Sequence, residues 1–309
     1  MNDTEFNQLV EAVIRQLVLE GVIPPTPSLP HVSTGRLPRI SSSTILSSSL
    51  TIDLPDAASE NLRYLPGIHH PKDPAALKEL IASTSARIGV GRSGPRYTTA
   101  SLLLFQGDHA VTQDALYREV DQKLLDEFNL FTVQTRITEG KEEYLLRPDL
   151  GRQLSSEARN MINQKCIKNP QIQLVVGDGL SAAAIESNLR QIFPVIKQGI
   201  QSSGLTLGTP FYVKYCRVGV INDIGDILNP EVSILLIGER PGLGRAESMS
   251  AYMAYRPKNG QNDSDRNVIC NIFENGGTNP LEAGAYIVQF VLKMRQNQAS
   301  GVKLKLAAG

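Results

Sequence analysis

The sequence carries no net charge. Its 309 residues include 31 basic and 31 acidic side chains, so nothing in the balance points to nucleic acid or an acidic surface. Long hydrophobic runs are missing too: none approaches the ~18 residues of a membrane helix, and no secretory leader is visible at the N-terminus. Cysteine is scarce. Cys166, Cys216 and Cys270 lie far apart, which argues against a disulfide framework and for a reducing cytoplasm. The four histidines, His31, His69, His70 and His109, lack the spacing of a zinc or non-haem iron site. There is no Gly-x-Gly-x-x-Gly, no Walker loop and no complete Gly-x-Ser-x-Gly elbow. No Ser–His–Asp or Cys–His nucleophile assembles from local motifs. A chain so short of catalytic groups is expected to be soluble and to hold a cofactor rather than perform the chemistry itself.

What is present begins with an amphipathic helix over residues 1–23. Phe6, Leu9, Val10, Val13, Ile14, Leu17 and Val18 recur at helical spacing. Residues 24–58 are dominated by Ser, Thr and Pro, a composition that buries too little to order itself and reads as a flexible linker. A short helix on such a tether reads as a docking peptide for another protein's groove, with packing on its own domain as the alternative. Residues 59–147 read as a mainly helical domain: Asp73 caps a helix from Pro74, and a long helical pattern runs from Thr98 to near Phe128. The segments 130–137 and 144–146 suggest a hairpin or short strands around Glu139-Gly140. From Pro148 to Gly309 strands and helices alternate. Ile172–Val176, Phe211–Cys216 and Val232–Ile237 read as strands, Ser181–Gln201 and Pro280–Asn297 as helices. The alternation predicts an α/β fold, a mostly parallel sheet covered by helices.

The richest stretch is Gly238-Glu239-Arg240-Pro241-Gly242-Leu243-Gly244, directly after the apolar run Val232–Ile237. Ligands of open α/β sheets sit beyond the carboxyl ends of the strands, and here that end carries an acid, a guanidinium and three glycines. A tight turn with an ion pair is the plain alternative. Asp178, after the strand 172–176, is open between ligand contact and a structural task, while Ser181 reads as a helix cap. Gly89–Arg96 reads as a connector with some capacity for a phosphate. Arg147–Arg152 is expected to tie the two halves together through charge-assisted bonds.

Taken in order, several of these segments resemble one family, the small (light) subunit of ethanolamine ammonia-lyase. They are Gly91–Arg96, Arg147–Arg152, Gly177–Ser181, Gly208–Phe211, Cys216–Val218, Asp223–Asp226, Gly238–Gly244 with Glu247-Ser248, Tyr252, Tyr255–Pro257, Asp265-Arg266, Asn271-Ile272, Gly276–Thr278 and Ala299–Gly301. The likeness spans residues 74–309. It implies a Rossmann-like C-terminal domain and an adenosylcobalamin enzyme that converts ethanolamine to acetaldehyde and ammonia. A large partner subunit would carry the substrate site, and this chain would complete the cobalamin site between the two. By the motif match the cobalamin contacts are Val218, Glu239 and Val268. The N-terminal helix resembles the extension that the family uses in bacterial microcompartments, which implies possible contact with their shell.

Two departures bear on the site. Val268 stands where the family pattern commonly has Cys, with Cys270 nearby, and Cys216 stands where the family often has Gly. Proteins that replace cobalamin's lower base use Asp-x-His-x-x-Gly; Asp108-His109 lacks that spacing, so the resemblance implies base-on binding, with the dimethylbenzimidazole still on cobalt. Two other functions stay open: a stand-alone nucleotide-binding α/β enzyme, which the missing glycine fingerprint disfavours, and a non-catalytic microcompartment cargo adaptor.

Overall fold

The computed structural model describes Leu62 and residues 64–84, 86–274 and 276–307. The readings of residues 1–23 as a docking helix and 24–58 as a linker lie outside the described residues. Everything described belongs to one compact unit.

The chain opens with α1 (Pro74–Ala82), where Asp73 accepts from the Ala75 and Ala76 amides and proline fills the first turn. A hairpin follows, β1 (Arg92–Ser93) with β2 (Arg96–Tyr97), so the Gly89–Arg96 connector folds back on itself around Gly94. The long helical pattern divides into α2 (Thr99–Tyr117) and α3 (Gln122–Glu127), because Arg118 leaves the helix in an extended conformation and Asp121 starts a new cap on the Lys123 amide. Then come β3 (Phe131–Gln134) and α4 (Lys141–Leu146). The expected hairpin is absent here. Residues 141–146 are helical, with Glu142 and Glu143 in the first turn, and the Glu143 carboxylate accepts from the Thr138 and Glu139 amides at 2.7 and 2.9 Å.

After α5 (Ser156–Lys165) come β4 (Ile172–Gly177), α6 (Ala182–Ser202), β5 (Phe211–Lys214), α7 (Val220–Leu228) and β6 (Val232–Gly238). The three strands and α6 lie where the sequence puts them, except that β5 stops before Cys216 because Tyr215 turns at φ +58°, and α7 was not anticipated. Two strands were not anticipated, β7 (Met249–Tyr255) and β8 (Asn267–Ile272). They precede α8 (Pro280–Asn297) and α9 (Gly301–Ala307). The six-stranded sheet has the order β3-β5-β4-β6-β7-β8. Its first four strands are mutually parallel, while β7 and β8 turn back antiparallel, so the sheet is mixed. The strand β3, from ahead of Pro148, lies on its edge beside β5.

Helices cover both faces, which is why the central strands are continuous apolar runs rather than alternating ones. Ile172, Leu174 and Val176 of β4, with Val232, Ile234 and Leu236 of β6, pack with α6 residues such as Leu189, Ile192 and Ile196 and with Ile287 and Val291 of α8. On the other face Val175, Leu235 and Ile237 meet Ala158 and Ile162 of α5 and Ile221 and Ile224 of α7. The chain is therefore an α/β fold with a central helix-covered sheet. On α8, Asn279 caps the helix by accepting from the Leu281 amide, and Tyr286 faces solvent.

One joint in this architecture positions everything that follows. From β4 the chain crosses to β5 on one side, whereas β6 continues to β7 on the other, so the crevice between β4 and β6 opens at their carboxyl ends.

Candidate functional site

The loops after β4 and β6 meet backbone to backbone. The Leu180 amide donates to the Gly238 carbonyl at 3.1 Å. A Cβ on Gly238 would collide with the carbonyl oxygen of Ser181, and one on Gly179, whose φ is +59°, would collide with that of Gly238. Ser181 caps α6 by accepting from the Ala184 amide, and its hydroxyl also donates to the Ala246 carbonyl at 2.5 Å. The cap reading of Ser181 holds, with a second bond that braces the loop after β6.

Above this joint lies an open cavity of about 370 Å³. Glu239, half-buried, is its best-held side chain. One carboxylate oxygen accepts from the Ser250 hydroxyl at 2.5 Å and the Asn271 amide at 2.8 Å; the other accepts from the Ser248 hydroxyl at 2.7 Å. The plain alternative of an ion pair with Arg240 is not what forms: among the described residues Glu239 bonds to serines and a backbone amide, and Arg240 stands exposed at the rim.

The opposite wall is built by the turn after β5. Tyr215 adopts φ +58°, and the buried Asp178 carboxylate pins that turn by accepting from the Tyr215 and Cys216 amides at 2.9 and 2.8 Å. Lys141, itself buried, brings its ammonium to 3.3 Å from Asp178. Burial pushes the Asp178 carboxyl up, while Lys141 and the two amides pull the other way. Asp178 does not line the cavity; it holds up the wall. Tyr144 of α4 is fully buried, donates its hydroxyl to the Cys216 carbonyl at 2.7 Å, and has its phenol pushed up by burial. Arg217 stacks on the Tyr144 ring at 4.2 Å and donates to the Tyr144 carbonyl at 3.1 Å. The Cys216 sulfur occupies the space that Gly177 leaves by having no side chain, and burial pushes this thiol up as well.

Of the three residues singled out in the sequence, Val218 and Glu239 line this one cavity. Val268 does not. It sits 47% exposed on the edge strand β8, opposite Tyr252 and two positions before the cavity-lining Cys270. The structure adds Tyr144, Arg217, Ser250, Tyr252, Cys270 and Asn271. A period-two signal existed for Ser248, Ser250 and Tyr252, but it becomes visible only once β7 is known to be a strand. The expected charge-assisted tie at Arg147–Arg152 is local instead: Arg147 pairs with Asp149 at 2.8 Å, both exposed. The two halves are tied elsewhere: Lys141 meets Asp178 at 3.3 Å, the Tyr144 hydroxyl donates to the Cys216 carbonyl at 2.7 Å, and β3 pairs with β5.

A larger polar cavity of about 580 Å³, near Arg256, Lys258 and Lys303, lies at the other end of the sheet, where Tyr255 pairs with the first residue of β6. The ligand-binding argument attaches to the crevice at the carboxyl ends and not to that larger space. Among the described residues no group of three or more His, Cys, Asp or Glu side chains could hold a metal ion. None of their helices is long and apolar enough to cross a membrane.

The chemistry of the crevice is that of a binding surface. It offers a held carboxylate acceptor, two guanidiniums, tyrosine faces and a short apolar wall, with no paired general acid and base. Comparisons with known proteins agree in extent with this region. The family model described as ethanolamine ammonia-lyase light chain matches residues 74–305. The chain is 44% identical over 252 residues to the ethanolamine ammonia-lyase small subunit of Clostridium perfringens, covering 82% of this chain and 85% of that one. It is 41% identical over 305 residues to the same subunit of Clostridioides difficile, covering 99% of this chain and all of that one. The small subunit of Listeria monocytogenes is 39% identical over 305 residues, with the same coverage.

Proposed function

The chain belongs to the ethanolamine ammonia-lyase light-chain family, and from that premise we propose that it works as the small subunit of a two-chain carbon–nitrogen lyase. The reaction converts ethanolamine to acetaldehyde and ammonia. A large partner subunit holds the substrate, and this chain completes the site of adenosylcobalamin at the face where the two meet.

Glu239 carries the reading. A corrinoid presents neutral amide arms around its ring. Glu239 lines the crevice with both oxygens anchored by its own chain, and the oxygen that accepts only from Ser248 keeps room for one further donor. A carboxylate fixed in this way accepts amide N–H bonds without having to be ordered first. Val218 supplies apolar surface beside it, and Tyr252, its phenol pushed up by burial, stays neutral there. Val268 would meet the cofactor from the exposed edge of β8. The size of the cavity supports the second chain: at about 370 Å³ it shelters an edge of a corrinoid, far from the whole. The radical chemistry belongs to the cofactor; the residues of this chain orient it and keep water from one side of it.

Within this reading β4, β5 and β6 with their connecting helices are the Rossmann-like part, residues 148–309 being the cobalamin-contacting domain. Residues 59–147 are the smaller helical part, whose β3 lies on the edge of the same sheet. The cofactor binds base-on. No histidine among the described residues lines the crevice, since His69 and His109 border other cavities. Electron paramagnetic resonance of cob(II)alamin in the two-chain complex should therefore show coupling to the nucleotide's own nitrogen. Coupling to a histidine nitrogen instead refutes base-on binding.

The central test is reconstitution. The lone chain should show no lyase activity and should restore it when mixed with the large subunit and cofactor. Glu239→Ala should fold normally, yet bind cobalamin more weakly by about 1 kcal/mol in the complex. Unchanged affinity in that variant removes Glu239 from the site.

A further inference from the structure

Resting on the cobalamin reading above, we infer that Arg217 and Arg240 form an anion subsite of the crevice, one that takes a phosphodiester. The two guanidiniums and the Glu239 carboxylate are the charged side chains lining the cavity, so it carries a net positive charge. Among the described residues Glu239 forms no salt bridge with either arginine, its oxygens bonding to Ser248, Ser250 and the Asn271 amide, and its single negative charge leaves one positive charge in excess.

Arg217 is half-buried, and no carboxylate among the described residues pairs with it. Its Nη2 is used on the Tyr144 carbonyl, and its Nε–H is buried without an acceptor. Stacking on Tyr144 offsets only part of what a partly desolvated cation costs. An anion alongside would offset the rest. Arg240 stands exposed on the neighbouring wall, with no ion pair among the described residues. The crevice also faces the amino end of α6, where Gly179 and Leu180 line it and the helix dipole adds positive potential. A planar guanidinium fork suits phosphate oxygens bidentately.

A corrinoid narrows the choice of anion. Its side arms are neutral amides, and its one anionic substituent is the phosphodiester that links ring and nucleotide. The subsite thus reads the nucleotide arm, while Glu239 reads the amides.

Cobinamide, which lacks the phosphodiester and nucleotide, separates the two tasks. In the two-chain complex, binding of cyanocobalamin and of cobinamide is followed by absorbance for the parent, Arg217→Gln, Arg217→Lys, Arg240→Gln and Glu239→Gln. Arg217→Gln and Arg240→Gln should each weaken cyanocobalamin about tenfold, the scale of one charge-assisted bond, and leave cobinamide unchanged. Arg217→Lys should recover part of the loss. Inorganic phosphate should compete with cyanocobalamin in the parent complex. Equal weakening of both ligands, or no weakening of cyanocobalamin while Glu239→Gln still weakens both, overturns the subsite alone. Failure of the parent complex to bind either ligand overturns the cobalamin reading on which it rests. If phosphate binds the parent but not Arg217→Gln, while cyanocobalamin is indifferent to the change, the source is free phosphate and the phosphodiester assignment falls.

Discussion

Asp178 and Glu239 follow the ends of neighbouring parallel strands, and both are acids in the place where ligands usually sit. Their partners separate them. Asp178 is buried against two backbone amides and Lys141, with no face toward the cavity; Glu239 is held by hydroxyls on one side and stays open on the other. Sequence position alone left Asp178 open, since a strand terminus is the same motif in either case. Burial decides. Removing one member of a buried pair leaves the other charge stranded, which costs roughly 3–5 kcal/mol. Asp178→Asn should therefore lose stability on that scale in urea unfolding, because Lys141 keeps its charge and Tyr215 loses the anchor for its positive φ. Its cobalamin affinity, measured on the folded fraction, should remain that of the parent. A stable Asp178→Asn with lost affinity would make Asp178 a ligand contact after all.

At the scale of elements, what was legible in the sequence followed from local physics. The apolar runs at 172–176 and 232–237 read as doubly covered strands, and Pro280–Asn297 read as a helix. What was not legible depended on partners far away in sequence. Met249-Ser250-Ala251-Tyr252 carries little intrinsic strand preference and is extended because β6 and β8 pair with it on both sides. With β7 hidden, Ser248 and Ser250 could not be seen to converge on Glu239. Residues 141–146 failed for the converse reason: a short apolar stretch is compatible with either period, and the acids of the first turn tipped it to helix. Val218 and Glu239 share a cavity because two strand ends meet, and that meeting depends on Gly179 and Gly238. Gly238→Ala should cost roughly 2–4 kcal/mol, the range of overpacking and backbone strain combined, as its Cβ has only backbone to displace. Gly242→Ala, where an added Cβ meets nothing within 4 Å, should stay within about 0.5 kcal/mol of the parent. Thermal melting of the two variants checks the difference; equal melting points would mean that the crevice joint yields.

For the whole molecule, the residues that build the crevice run from Tyr144 to Asn271, well inside the compact unit that begins at Leu54. The family match likewise begins at residue 74, yet relatives align with this chain from end to end, so they too carry the N-terminal stretch. An amphipathic stripe over residues 1–23 suits docking on another protein. If docking is its task, deleting residues 1–53 should leave the reconstituted complex with lyase activity and cobalamin affinity within about twofold of the parent, as expected of sites that do not couple. The same residues 1–24, fused to a fluorescent reporter, should carry it to microcompartments in cells that build them. Lost activity on truncation would give the N-terminal stretch a role in the cofactor site, and a reporter that stays diffuse would leave it without the docking task.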